Sequence, residues 1–152
     1  MAIVDLDVHQ GNGTASILQN DPSIFTLSIH GENNFPFTKE QSDLDIGLPN
    51  GCEDSDYLSA LNQGLEMLNR FKPDFIIYLA GADPHEGDRL GKLSISKDGI
   101  RQRDEYVFQY GLDHQIPIAF SMAGGYGKEI QSTVAIHFQT VQTALRFQQQ
   151  FS

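Results

Sequence analysis

Four short apolar runs constrain the fold more than any other feature of this chain. They occupy residues 2 to 8 (AIVDLDV), 24 to 29 (IFTLSI), 74 to 80 (DFIIYLA) and 117 to 122 (PIAFSM). Each is rich in Ile, Val, Phe or Tyr, and each is bounded by turn-forming residues. Near-continuous hydrophobicity of this kind predicts strands covered on both faces, the pattern of a parallel sheet rather than of a one-sided antiparallel one.

Helical periodicity fills the intervals. Leu58, Leu61, Leu65 and Leu68 recur every three or four residues after Asp54, Ser55 and Asp56, and Pro73 stops the run. Ile100, Tyr106, Val107 and Tyr110 mark a second helix after Ser96 and Asp98. Ile130, Val134, Phe138, Val141 and Leu145 mark a third. Strands alternating with helices imply right-handed βαβ units. The stretch from Gly31 to Cys52 reads as a long loop with a short alternating piece at Leu44, Ile46 and Leu48. The predicted fold class is therefore α/β, a three-layer α/β/α arrangement on a mainly parallel sheet, with residues 1–152 as one domain.

Composition narrows the function. Twenty acidic against ten basic residues give a net charge of -10, which argues against a sequence-independent grip on nucleic acid. Cys52 stands alone, so an intrachain disulfide and a cysteine-rich zinc ribbon are excluded. No apolar run approaches the roughly 20 residues that span a bilayer. No basic leader precedes an apolar stretch either, so the expectation is a cytoplasmic protein without a membrane partner.

Ligands of open parallel sheets bind beyond the carboxyl ends of the strands. Asp5, Asp7 and His9 stand there after the first run, and Ser28 and His30 after the second. Asp83, His85, Glu86 and Asp88 follow the third, and Gly124, Gly125 and Tyr126 the fourth. In an extended strand, Asp5, Asp7 and His9 share one direction while Leu6 and Val8 take the other. Two neighbouring carboxylates repel unless a cation joins them. An Asp and a His two residues apart, with Asp83 as third ligand, would form an open O/N site of the catalytic-zinc kind. Taken singly, His30, His85, His114 and His137 read as ordinary satisfied polar residues, and Asp88 as a turn cap or a partner of Arg89. Neither glycine cluster, HQGNGT nor AGGYG, forms a nucleotide fingerprint.

The strings IVDLDVHQGNGT, FTLSIHGENNFPF, YLAGADPHEGDRLGKLSIS and MAGGY, in this order, resemble the histone deacetylase family and its arginase-like fold. The likeness is greatest to the class IV branch and its bacterial relatives. It implies zinc ligation by Asp7, His9 and Asp83, and a monovalent cation (K+ or Na+) held with help from Asp5 and Ser28. It implies that Tyr126 assists the polarised carbonyl, and that Leu90, Gly124 and Gly125 border the acyl channel. His30 falls near the cation site. The implied substrates are an acetylated lysine peptide, an acetylpolyamine or another small acetylated amide.

The family draws its general base from a consecutive His-His pair, and this chain has none. Asp5 and Asn12 match the residues that orient that pair. The expectation is thus the carboxyl-terminal part of a deacetylase, incomplete on the amino-terminal side, which binds a divalent metal weakly or not at all and lacks family-like activity by itself. The run beginning immediately after Met1 adds to that expectation and suggests self-association through an exposed edge of the first strand. Two alternatives stand beside it. IVDLDV also resembles the Asp-x-Asp strand of magnesium-dependent haloacid dehalogenase-like phosphatases, and a non-catalytic fragment that joins a partner chain is the other.

Overall fold

The computed structural model describes residues 1–151. One sheet contains β1 (Ala2–Asp5), β2 (Phe25–Gly31), β3 (Leu44–Leu48), β4 (Ile76–Ala80) and β5 (Ile118–Met122). The spatial order is β3-β2-β1-β4-β5, and every adjacent pair is parallel. The α/β class with a parallel sheet is as expected. Three helices connect strands, α1 (Asn12–Leu18), α2 (Asp54–Phe71) and α3 (Lys97–His114), and α4 (Ile130–Gln148) follows β5. Among the described residues no helix is long and apolar enough to cross a membrane.

The core lies between one face of the sheet and α2, α3 and α4. Val4, Leu6, Leu27, Ile29, Ile76 and Tyr78 are buried from the sheet, against Tyr57, Leu61 and Leu68 of α2 and Ile100 and Val107 of α3. The leucine repeat therefore does what its spacing dictates, and it brings helix backbone close to the sheet at Gly64. A Cβ there would stand 2.9 Å from Leu27 Cδ2. Ser96 caps α3 by accepting a hydrogen bond from the Gly99 amide at 2.9 Å.

Four expectations are corrected. First, β1 is the central strand, paired with β2 on one side and β4 on the other, so it offers no free edge for self-association. The free edges belong to β3 and β5. Second, the Leu44–Leu48 piece is a strand rather than loop, because it pairs with Leu27–Gly31 of β2. Third, the sheet is not covered equally on both faces. Ile77 and Leu79 alternate with the buried Ile76, Tyr78 and Ala80 and are only half-buried, as is Ile3 in β1. Fourth, α4 forms where its periodicity predicts but turns its apolar stripe outward. Ile136, Thr140 and Thr143 face the core, whereas Ile130, Val134, Phe138, Val141 and Leu145 are exposed.

Burial decides the cost of truncation in this core. Leu61→Ala is expected to lower unfolding free energy by about 2–5 kcal/mol, whereas Ile17→Ala, at a residue 81% exposed, changes it by less than about 0.5 kcal/mol. Urea denaturation followed by circular dichroism measures both.

Candidate metal centre

The strand assignment of β1 ends at Asp5, and the chain then threads between its neighbours without a regular ladder. Leu6 N still donates to Leu79 O at 3.1 Å, and Gly31 N to Val8 O at 2.9 Å. Leu6 and Val8 are fully buried, which leaves Asp7 and His9 at the sheet's carboxyl edge. Asp83 reaches the same place from the end of β4. Ligand atoms of Asp7, His9 and Asp83 all lie within 4.8 Å of one another. Three of the residues singled out by their spacing are thus brought together by the fold.

The cluster is held from several sides. Val8 N donates to Asp83 Oδ1 at 2.8 Å, and Gly124 N donates to Asp7 Oδ2 at 2.6 Å. His9 Nδ1 lies 2.9 Å from Asp7 Oδ1. Asp83 Oδ2 is 3.3 Å from the same nitrogen, close enough for charge attraction but poorly aligned, and it is buried without a hydrogen-bond partner. Glycine is required at 124, because a Cβ would collide with Asp83 Oδ2 and stand 2.6 Å from Asp7 Oδ2.

Electrostatics show how crowded the acids are. Burial pushes the Asp83 carboxyl up, with further upward pressure from Asp7. Burial also acts upward on Asp7, but hydrogen bonds from His9 and Gly124 outweigh it and hold that carboxyl below the usual range. The hydrogen bond to Asp7, and then the nearby Asp83 carboxylate, lift His9 to about 10. A proton on the ring is thus trapped between two acids, a place that suits a cation.

The remaining predicted residues occupy distinct positions. Asp5 and Ser28 stand at paired register positions on β1 and β2. Asp5 Oδ1 accepts from Asp7 N at 3.1 Å, and burial pushes the Asp5 carboxyl up to about 7. Ser28 Oγ lies 3.0 Å from His30 Nδ1, and burial holds His30 below its ordinary value. Asn12 opens α1, its amide donating to Gln10 O at 2.8 Å. Gly125 packs tightly, since a Cβ would stand 2.8 Å from Thr133 Cγ2. Leu90 and Tyr126 are exposed at the rim. His85 accepts from Gly87 N, and His114 stacks on Tyr110 outside the cluster.

Asp88 does more than cap a turn. Its Oδ1 accepts from the Leu90 and Gly91 amides, while Oδ2 accepts from Tyr126 N at 2.6 Å. The carboxylate thereby ties the loop after β5 to the loop after β4. Arg89 completes the grip, its backbone and side-chain N–H groups both donating to Tyr126 O at 3.1 Å.

Arg103 went unread in the sequence. It is fully buried on α3, and its Nη1 donates to Gly81 O at 2.6 Å and, more weakly, to Leu6 O at 3.4 Å. Those carbonyls lie immediately beneath Asp83 and Asp7. The adjacent Asp104 accepts from Arg103 Nε at 2.9 Å, from Tyr78 Oη and from Thr140 Oγ1 at 2.6 Å. One signal was available. Ile100, Arg103, Asp104 and Val107 follow i, i+3, i+4, i+7 spacing, so the charged pair sits in the buried stripe.

Comparison with known proteins gives a consistent answer. A histone deacetylase domain model matches residues 1–141. An uncharacterized protein of Picosynechococcus sp. is 50% identical over 136 residues, covering 89% of this chain and 45% of that one. Histone deacetylase 2 of Arabidopsis thaliana is 37% identical over 137 residues, covering 88% and 35%. Among solved structures, acetylpolyamine aminohydrolase from Burkholderia pseudomallei superposes with a TM-score of 0.79 at 22% identity, covering 93% of this chain and 44% of that one. A histone deacetylase homologue from Aquifex aeolicus gives 0.79 at 23% identity, covering 95% and 41%. The chain spans less than half the length of each of these relatives.

Arg103→Met removes a buried charge and leaves Asp104 unpaired, so it is expected to cost about 3–5 kcal/mol of stability. The double change with Asp104→Leu is expected to cost less than the two single changes added together. Equilibrium denaturation of the three variants decides it.

Proposed function

Because the chain belongs to the histone deacetylase family, we propose that Asp7, His9 and Asp83 hold a zinc ion that serves hydrolysis of an acetylated amine. The carrying observation is the convergence of those three side chains, with the buried Asp83 Oδ2 lacking a hydrogen-bond partner. Two carboxylates and one imidazole fit zinc in a catalytic rather than structural role, since three protein ligands leave a position open. The Asp-x-Asp phosphatase alternative gives way to the family assignment.

Bound zinc supplies Lewis-acid polarisation of an amide carbonyl and acidifies water toward a pKa of about 7. The chain's own residues prepare that chemistry. Gly124 N pins Asp7 Oδ2, Val8 N pins Asp83 Oδ1, and Arg103 fixes the backbone beneath both. Tyr126, its backbone gripped by Asp88, donates its hydroxyl to the carbonyl oxygen as negative charge develops there. Asp5 and Ser28 help to hold a monovalent cation behind the first ligand strand. Leu90, Gly124 and Gly125 border the substrate path, and Asn12 stands where the family orients its His-His pair.

The acyl donor is an acetyl-lysine peptide, an acetylpolyamine or a similar small acetylated amide. Support comes from the family and from the fold shared with an acetylpolyamine aminohydrolase. Proton transfer to the leaving amine is assigned to groups of the domain outside this chain, which lacks the family's His-His pair.

Titration of the metal-free chain with Zn2+ is expected to show one site per chain, weakened about 100-fold or more by Asp83→Asn. A stoichiometry of zero, or an affinity indifferent to Asp83→Asn, would refute the metal assignment. In a polypeptide carrying the whole domain, Tyr126→Phe is expected to lower kcat on an acetyl-lysine peptide about 10²-fold or more, with zinc affinity unchanged. Steady-state assays on acetyl-lysine peptide and acetylspermidine compare the substrate classes.

A further inference from the structure

Two side chains at the rim of the site are largely exposed, Tyr126 (56%) and Leu90 (53%). Packing around their own atoms therefore does little to fix either one, and their directions are inherited from the backbone that carries them. Asp88, 6% exposed, accepts hydrogen bonds from three backbone amides. Leu90 N at 2.8 Å and Gly91 N at 2.9 Å meet its Oδ1, and Tyr126 N at 2.6 Å meets its Oδ2. A carboxylate drawn out of water is costly unless its lone pairs are answered, and here backbone N–H groups answer them. Each oxygen serves a different loop, so one rigid group sets the spacing between leucine and tyrosine. Asn34, also buried, reaches the leucine segment from the loop after β2. Its Nδ2 donates to Leu90 O at 2.9 Å and its Oδ1 accepts from Lys92 N at 3.2 Å. Little room is left for movement, since a Cβ on Gly31 would collide with Asn34 Oδ1 and one on Gly91 with the Asp83 carbonyl oxygen. Thr133, in the first turn of α4, accepts from Gly127 N at 3.2 Å through Oγ1, so the tyrosine is held from the residue after it as well.

We propose that Asp88 is the positioning residue for Tyr126, with Thr133 as its support, and that Asn34 is a specificity-determining residue acting through Leu90. The inference rests on the deacetylase reading, because it needs a reaction in which the tyrosine hydroxyl meets developing charge. Geometry separates the two duties. Oδ2 of Asp88 grips the tyrosine loop, whereas the Asn34 amide grips the leucine segment and not the tyrosine. A misplacement of about 1 Å is enough to spoil a catalytic contact. The hydroxyl is needed most as charge builds on the carbonyl oxygen, so a fault at Asp88 shows in kcat. Leu90 borders the substrate path before and during the reaction alike, so a fault at Asn34 shows in KM. Asparagine at 88 keeps the size but exchanges one acceptor oxygen for a donor, which then faces either the Tyr126 amide or those of Leu90 and Gly91. Aspartate at 34 makes the converse change, turning the donor toward Leu90 O into an acceptor.

In a polypeptide carrying the whole domain, Asp88→Asn is expected to lower kcat on an acetyl-lysine peptide roughly 10-fold to 10²-fold, with zinc affinity unchanged. Placed on Tyr126→Phe, the same change is expected to cost less than about 2-fold more, since no hydroxyl remains to be aimed. Asn34→Asp is expected to raise KM about 10-fold with kcat unchanged. Thr133→Val, which removes the hydroxyl and keeps the volume, is expected to lower kcat about 3-fold or more, and Thr133→Ser to restore it. That pair carries the test if Asp88→Asn fails to fold. One reading needs no activity: hydrogen exchange at the Tyr126 amide of the metal-free chain is expected to quicken about 10-fold or more in Asp88→Asn. Equal loss of kcat with and without the tyrosine hydroxyl, an unchanged Tyr126 amide, or an Asn34→Asp effect confined to kcat would overturn the proposal. An inactive wild-type domain whose Tyr126 amide still quickens in Asp88→Asn would instead locate the failure in the deacetylase reading.

Discussion

Two acids that cannot both be charged in isolation govern this molecule. Asp7 and Asp83 come from different strand ends, are drawn out of water and lie against one imidazole. Burial opposes the ionisation of both and Asp7 opposes that of Asp83, so positive charge beside them favours the arrangement. His9 supplies it as a trapped proton in the metal-free chain, and a divalent cation would supply more. The hydrogen bonds from Val8 and Gly124 have the same purpose, directing N–H groups at oxygens that would otherwise repel.

The fold meets that demand by putting β1 in the middle of the sheet. A central strand has its end flanked by two others, so residues after β1 meet residues after β4 without a long excursion. Arg103 and Asp104 then brace the strand ends from the helix layer below. A buried ion pair is a poor source of stability by itself. Here its use is positional, because the guanidinium holds the Gly81 carbonyl, two residues before Asp83, and reaches toward the Leu6 carbonyl before Asp7.

The same topology explains where apolar surface is left exposed. With β1 enclosed, the apolar surface without a partner lies at β5 and along α4, at the side of the site where Tyr126 stands exposed. Asp7, His9 and Asp83 are gathered by contacts internal to this chain.

Much of this was legible in the residues. Repetition of leucines placed α2, the Ser96 cap and following apolar positions placed α3, and Asp-x-His with a distant AGAD marked the cluster. These features are local, and covalent geometry alone sets the period with which side chains face the core. What the sequence could not decide was relative placement. NGTASIL is too short to show a helical period, yet it forms α1. The stripe on α4 fixed a helix but not which side would meet the core, since Thr140 is drawn inward by Asp104. The spacing of Arg103 puts it in the buried stripe of α3, but the carbonyls it holds are brought to it only when strands and helix assemble. The sequence by itself determined the three long helices, four of the five strands and the chemical identity of the clustered side chains. Only tertiary structure determined that β1 is central, that Asp83 meets Asp7, and that the unpartnered surface is β5 with α4. Those facts depend on which distant segments pack together, a balance of burial and hydrogen bonding that no single stretch of chain contains.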